Sequence, residues 1–138
     1  MKIYTKTKFL LLFLFLSAYV SSAFAQVIVT QPTGGQNVSV DKSTGGPLVQ
    51  FTAIGDIVIS DQTATDFGTG TNQRIRLNAP TGWQFETNVA TVSRTGTRVT
   101  AASVYQYGAS YIIIQYTANS TAAAGNSITL SGLRVKST

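Results

Sequence analysis

The chain has 138 residues, with ten lysines and arginines against five acids, and a formal net charge of +5. It has no histidine and no cysteine, so it lacks the usual general base, the thiol nucleophile and the common zinc and copper ligands. We therefore expect no enzyme, no metal and no cofactor, and a fold that is stable without disulfides.

Residues 1–25 have the composition of a secretory signal peptide. Three lysines precede an unbroken apolar run at 9–16, and small residues end at Ala25, after which cleavage is expected. The run is shorter than the roughly 20 residues that span a bilayer, so no membrane span should remain. Losing three lysines lowers the net charge from +5 to +2, which does not indicate nucleic-acid binding. The sequence predicts a secreted or cell-surface protein whose one domain covers residues 26–138.

Residues 26–138 show a two-residue apolar period instead of the helical period of 3.6. Short strands are predicted at 26–32, 38–40, 47–60 (two strands, or one bent at Gly55), 73–79, on both arms of a hairpin around Gly96, at 110–118, and at 128–137 with a break at Gly132. A polar loop at 61–72 contains Phe67, which we expect to close over the core. About eight strands at ten-residue spacing predict an all-β fold, an antiparallel β-sandwich.

In two of these segments the sequence also predicts which side of the strand is buried. In 73–79, Ile75 and Leu77 point to one side while Arg74 and Arg76 point to the other, as in a half-buried strand. Residues 110–118 are apolar on both faces, which predicts a central strand that is covered on each side.

The single tryptophan directly follows a turn formed by Pro80 and Gly82. Trp83 and Phe85 alternate with polar residues, so both rings should share one face of a strand and point into the core. We prefer this interpretation to a sugar-stacking platform. The remaining predicted core residues are Ile75, Leu77, Ile112 and Ile114.

The segment from Phe51 to Phe85, followed late in the chain by "ITLSGLRVKST", resembles the cohesin-like and immunoglobulin-like β-sandwich modules of large secreted or cell-surface bacterial proteins, especially those of Bacteroidetes. The matching features are an Ile-rich strand, a polar loop, Phe-x-x-Gly, an alternating strand and Pro-x-Gly-aromatic-x-Phe. The resemblance implies a non-catalytic module that acts as a structural or adhesive unit beside neighbouring modules of the same or another surface protein. It also implies that the chain is a fragment or the first module of a longer protein.

Candidate binding residues are few. Tyr105 and Tyr107 stand two residues apart just before Gly108, so both rings should emerge on one face near a strand end. They could stack on a glycan, which makes carbohydrate binding an alternative function; a cohesin-type receptor for a docking protein is a further one. Arg74 and Arg76 could pair with an anionic glycan. The loop acids between Asp61 and Asp66 lack the ligand pattern of a calcium site, and we predict no metal there.

Overall fold

The computed structural model describes residues 27–34 and 51–138. The predicted signal peptide at 1–25 and the predicted short strand at 38–40 lie outside these residues. Ten strands form in the described part of the chain: β1 (Val27–Thr30), β2 (Thr52–Ala53), β3 (Ile57–Asp61), β4 (Gly70–Asn78), β5 (Trp83–Phe85), β6 (Thr91–Thr95), β7 (Val99–Gly108), β8 (Tyr111–Ala118), β9 (Ser127–Ser131) and β10 (Arg134–Ser137).

The strands form three antiparallel sheets, with the orders β1-β3-β9-β6, β4-β8-β7 and β2-β10-β5. The prediction of an all-β antiparallel sandwich is confirmed, although about eight strands were expected. Residues 52–61 and 127–137 each give two strands that belong to different sheets. Both breaks lie side by side, since the Ile54 amide donates to the Leu133 carbonyl at 2.9 Å. Gly132 has a φ of 73°, which lets the chain leave one sheet for the other.

The core lies between the β1-β3-β9-β6 and β4-β8-β7 sheets. Its most deeply buried apolar side chains come from β7, β8 and β9, from the loop before β4 and from the break between β9 and β10: Phe67, Val99, Ile112, Ile114, Ile128, Leu130 and Leu133. Phe67 closes over this core as predicted, with its ring edge-on to Tyr116 at a centroid distance of 5.6 Å. Ile75 and Leu77 are partly buried against the same cluster.

The strand β8 lies at the centre of its sheet, between β4 and β7. Its residues alternate strictly between buried and half-buried, with Ile112 and Ile114 fully buried and Ile113 partly exposed. The prediction that both faces of this strand are covered is therefore wrong for one face. On that face Tyr111, Ile113, Gln115 and Thr117 are all half-buried.

The hairpin between β6 and β7 turns at Gly96, which has a φ of 87° as its predicted role requires. A Cβ at this position would lie 2.8 Å from the Cα of Asn126. The Asn126 side chain in turn accepts a hydrogen bond from the Arg98 amide at 2.8 Å. The turn is thus packed directly against the loop that precedes β9.

Candidate functional site

The solvent-facing side of the β4-β8-β7 sheet, here called the outer face, carries an unusual set of side chains. It follows from the alternation of the three strands: while Ile75, Ile114 and Val104 face the core, their sequence neighbours face water. The side chains that share this face are Asn72, Arg74, Arg76, Asn78, Ser103, Tyr105, Gln106, Tyr111, Ile113, Gln115 and Thr117.

Two arginine–tyrosine stacks cross the outer face. The Arg74 guanidinium carbon lies 3.9 Å from the centre of the Tyr105 ring, and that of Arg76 lies 4.1 Å from the centre of the Tyr111 ring. Each stack joins β4 to another strand of the sheet, and contacts of this kind are attractive because the ring face carries negative charge density. The stacks therefore hold two guanidinium planes in defined positions on an otherwise open surface.

Hydrogen bonds between neighbouring side chains order this face further. Arg76 donates from Nε to the Asn78 Oδ1 at 2.8 Å, and Gln106 donates from Nε2 to the Tyr111 hydroxyl at 2.8 Å. Gln115 donates from Nε2 to the Asn72 Oδ1 at 3.0 Å. Because these partners fix the rotamers, a ligand would meet a surface whose side-chain entropy is already partly lost.

A β-bulge decides where the two candidate tyrosines lie. The register of β7 on β8 shifts between Val104 and Gln106, so Tyr105 is the additional residue and Gln106 pairs with the outward residue Ile113. Tyr105 is 50% exposed on the outer face, whereas Tyr107 pairs with Ile112 and packs against the core. The expectation that both rings share one face is wrong, because a bulge breaks the two-residue alternation.

Tyr107 has a structural contact instead. Its hydroxyl donates a hydrogen bond to the Ala90 carbonyl. Burial raises the pKa of the Tyr107 hydroxyl above its ordinary value, so the group remains a neutral donor at physiological pH. The structure therefore separates Tyr105 from Tyr107 and groups Tyr105 with Tyr111, which the sequence reasoning did not select.

The outer face is also free of negative charge. The sequences of β4, β7 and β8 contain no aspartate or glutamate, and their only charged residues are Arg74 and Arg76. Neither arginine forms an ion pair with a carboxylate in the described part of the chain. Two uncompensated positive charges thus stand two residues apart on one strand.

A second feature is an apolar cleft of about 300 Å³ at the end of the sandwich where β5 begins. It is lined by Pro32, Ile54, Ile57, Leu77, Asn78, Ala79, Pro80, Trp83, Phe85 and Val135. Trp83 and Phe85 line it together, as the alternation predicts, and Phe85 is buried. Trp83 is only partly buried and belongs neither to the core cluster nor to the side chains packed against it, so the predicted core position is correct for Phe85 and wrong for Trp83.

The acidic loop residues have structural partners. Asp61 accepts hydrogen bonds from the amides of Gly125 and Asn126 and from the Asn126 side chain, at 2.7–3.1 Å. Asp66 accepts from the amides of Gln62 and Thr63 at 2.7 and 2.8 Å. Across 27–34 and 51–138 no group of three or more potential metal ligands forms. The carboxylates of this loop hold turns together, as short acidic side chains commonly do.

Comparison of the chain with protein-family models, with curated proteins and with solved structures found no match. The described residues contain no helix with the length and apolarity needed to cross a membrane.

Proposed function

We propose that this chain is a non-catalytic adhesion module of an exported bacterial protein, and that it binds glycans through the outer face of the β4-β8-β7 sheet. The signal-like sequence at 1–25 supports export, and the resemblance to cohesin-like and immunoglobulin-like modules supports a role as one unit of a surface protein. The module would act beside neighbouring modules, at the cell surface or in the medium.

The observation that carries the proposal is the arrangement on the outer face. Exposed tyrosine, glutamine and asparagine side chains lie on a rigid sheet and are fixed by mutual stacking and hydrogen bonds. Amide and hydroxyl groups complement sugar hydroxyls, and aromatic side chains offer an apolar body with a polar tip. An open polar sheet face of this kind suits a long, extended polymer better than a small molecule, which normally requires a concave pocket.

Tyr105 and Tyr107 give the test a matched control. Tyr105→Ala removes a ring from the outer face, whereas Tyr107→Phe keeps the ring in the core and removes only a hydroxyl. On a glycan array followed by affinity electrophoresis, we expect Tyr105→Ala to weaken binding about tenfold or more and Tyr107→Phe to bind like the parent chain. An array without any bound glycan, or equal loss in both variants, contradicts glycan binding by this face.

A second candidate function, contact with a neighbouring module, is favoured by the edge strand β1. Its side chains Val27, Ile28 and Val29 are 37–56% exposed, and it pairs only with β3 in the described structure. An edge strand offers unpaired backbone groups to another strand. Replacing Val29 with lysine should then lower self-association or module association in sedimentation experiments; an unchanged sedimentation profile argues against this contact.

A further inference from the structure

We propose that the outer face selects anionic glycans, with Arg74 and Arg76 each binding one carboxylate or sulfate group along the polymer. This inference rests on the proposed glycan-binding function and specifies its ligand class. It follows from three properties of the two arginines: their lack of counter-charges, their spacing and their orientation.

These arginines differ from the other cations of the described chain because they lie together on one sheet face whose strands contain no acid. Arg134 pairs with Glu86 at 2.7 Å, Arg94 donates to the Val99 carbonyl at 2.8 Å, and Arg98 is buried. Arg74 and Arg76 instead lie on a sheet face without any acid. An approaching anion would therefore meet no carboxylate repulsion and would displace no existing ion pair.

The spacing suits a polymer that carries repeated charges. The Cα atoms of residues i and i+2 of a strand lie about 6.6 Å apart, and their side chains share one face. Arg74 and Arg76 occupy such positions and stack on Tyr105 and Tyr111, so both guanidinium groups remain over the sheet. Two anionic groups on successive or alternate sugar units could be bound at once, and the second contact would then be intramolecular.

The orientation favours planar anions. A guanidinium group has five N–H donors in a planar fork, which binds carboxylate or sulfate through two parallel hydrogen bonds, and a ring 3.9–4.1 Å from its carbon takes up none of these donors. Arg76 uses Nε for Asn78 and keeps its two terminal nitrogens. Because the tyrosine rings already restrict the side chains, binding costs less conformational entropy than it would for freely rotating arginines.

The surroundings indicate a glycan instead of another polyanion. A shallow depression of about 160 Å³ continues the face beyond Gln115 and includes Ser103 and Thr117, whose hydroxyl groups can bind sugar hydroxyls. Nucleic acid is less well matched, since its binding depends on neutralising many closely spaced phosphates and this face offers two cations. Two positive charges with several neutral donors fit a polymer in which charged groups are separated by hydroxyl groups.

The test compares polymers that differ in charge and in chemical class. The purified chain is run in affinity gels that contain alginate, chondroitin sulfate, neutral dextran, poly-glutamate or double-stranded DNA. We expect tighter binding to alginate or chondroitin sulfate than to the other three by about tenfold or more, and weaker binding as salt is raised towards roughly 0.5 M.

Variants with charge changes on opposite sheets locate the site. The double variant Arg74→Gln/Arg76→Gln should lose the anionic preference, while Arg94→Gln, which removes one charge from the opposite sheet, should retain it. Arg74→Lys/Arg76→Lys keeps the charge without the planar fork and should bind with intermediate affinity. Thermal melting of each variant checks that the fold is unchanged.

The outcomes separate this inference from the proposed function. Equal binding of dextran and the anionic glycans, with Tyr105→Ala still impaired, overturns the anionic preference and leaves glycan binding intact. Equal or tighter binding of poly-glutamate or DNA shows a polyanion surface of another class and overturns the inference. Binding to none of the polysaccharides refutes the inference together with the function on which it rests.

Discussion

Replacing Arg98 with alanine should destabilise the fold by about 3–5 kcal/mol, although a charged residue beside a hairpin turn would ordinarily be dispensable. Arg98 is only 3% exposed. Its guanidinium donates to the Phe67 carbonyl at 2.6 Å, to the Thr121 carbonyl at 2.9 Å and to the Thr69 hydroxyl at 2.9 Å. A single side chain therefore joins the loop before β4 to the loop before β9.

The magnitude follows from these contacts. A hydrogen bond from a charged donor contributes about 1.5–3 kcal/mol, so three of them set an upper limit of roughly 4.5–9 kcal/mol. Water can enter after truncation and replace part of this, because Thr69 and Thr121 lie at the exposed ends of their loops. The carbonyl of the buried Phe67 is the acceptor least able to find another donor. The expected loss in the free energy of unfolding is therefore close to the cost of breaking a buried charge pair, about 3–5 kcal/mol.

The assay is urea unfolding followed by the fluorescence of Trp83, the only tryptophan of the chain. Arg94→Ala is the matched control, since Arg94 belongs to the same hairpin but is exposed and donates only to the Val99 carbonyl. It should cost about 1 kcal/mol or less. Arg98→Lys should fall between the two, because an ammonium group cannot reach three divergent acceptors. An Arg98→Ala midpoint equal to that of Arg94→Ala, with unchanged denaturant slopes, would refute the bridging role.

Three further changes test other parts of the fold. Gly96→Ala should lower the free energy of unfolding by about 2 kcal/mol more than Gly82→Ala in urea. Both glycines have a positive φ, but of the two only Gly96 has packed atoms where an added Cβ would lie. Equal costs would contradict the close packing of the turn at Gly96. Phe85→Ala should lower the free energy of unfolding by about 3–5 kcal/mol, and Trp83→Ala by clearly less, since the indole is already partly in water. A larger loss for Trp83→Ala would place the indole in the core. Burial raises the pKa of the Tyr116 hydroxyl in the folded chain. As pH rises, the unfolded chain therefore loses this proton before the folded chain does, and the free energy of unfolding should fall above pH of about 10. Melting temperatures from neutral to alkaline pH should show a smaller fall in Tyr116→Phe, and identical curves would contradict the assignment.

The local pattern of the sequence was sufficient for much of the fold. Alternation placed Ile75 and Leu77 on the core side of β4, glycine chemistry placed the hairpin at Gly96, and a lone aromatic in a polar loop identified Phe67 as a core residue. These features depend on a residue and its near neighbours, because a strand presents alternate side chains to opposite faces whatever it pairs with. The positions of such residues can therefore be read without knowing the partner strand.

The outer face depends on partners that are distant in the sequence. Tyr105 is placed by a bulge, which is a property of how β7 and β8 pair and has no reliable signal within β7 itself. The contact of Arg74 with Tyr105 joins residues on two strands that are separated by β8. Burial of Arg98 likewise depends on three acceptors from loops more than 20 residues away. A charged residue near a turn is ordinarily exposed, so the residue type and position of Arg98 would predict an exposed side chain.

The two arginines of β4 have one competing explanation, which is protection of a sheet edge. The strand β4 lies at the edge of its sheet, and charged residues on edge strands prevent pairing with another chain. That role needs a charge that points outward along the edge into water. Arg74 does the opposite, because its guanidinium packs on the ring of Tyr105. Tyr105 belongs to β7, which lies two strand spacings or roughly 9–10 Å from β4, so the two side chains meet above the sheet. A side chain fixed over the centre of the sheet does little to repel an incoming strand, but it presents its charge to a ligand that lies on the outer face.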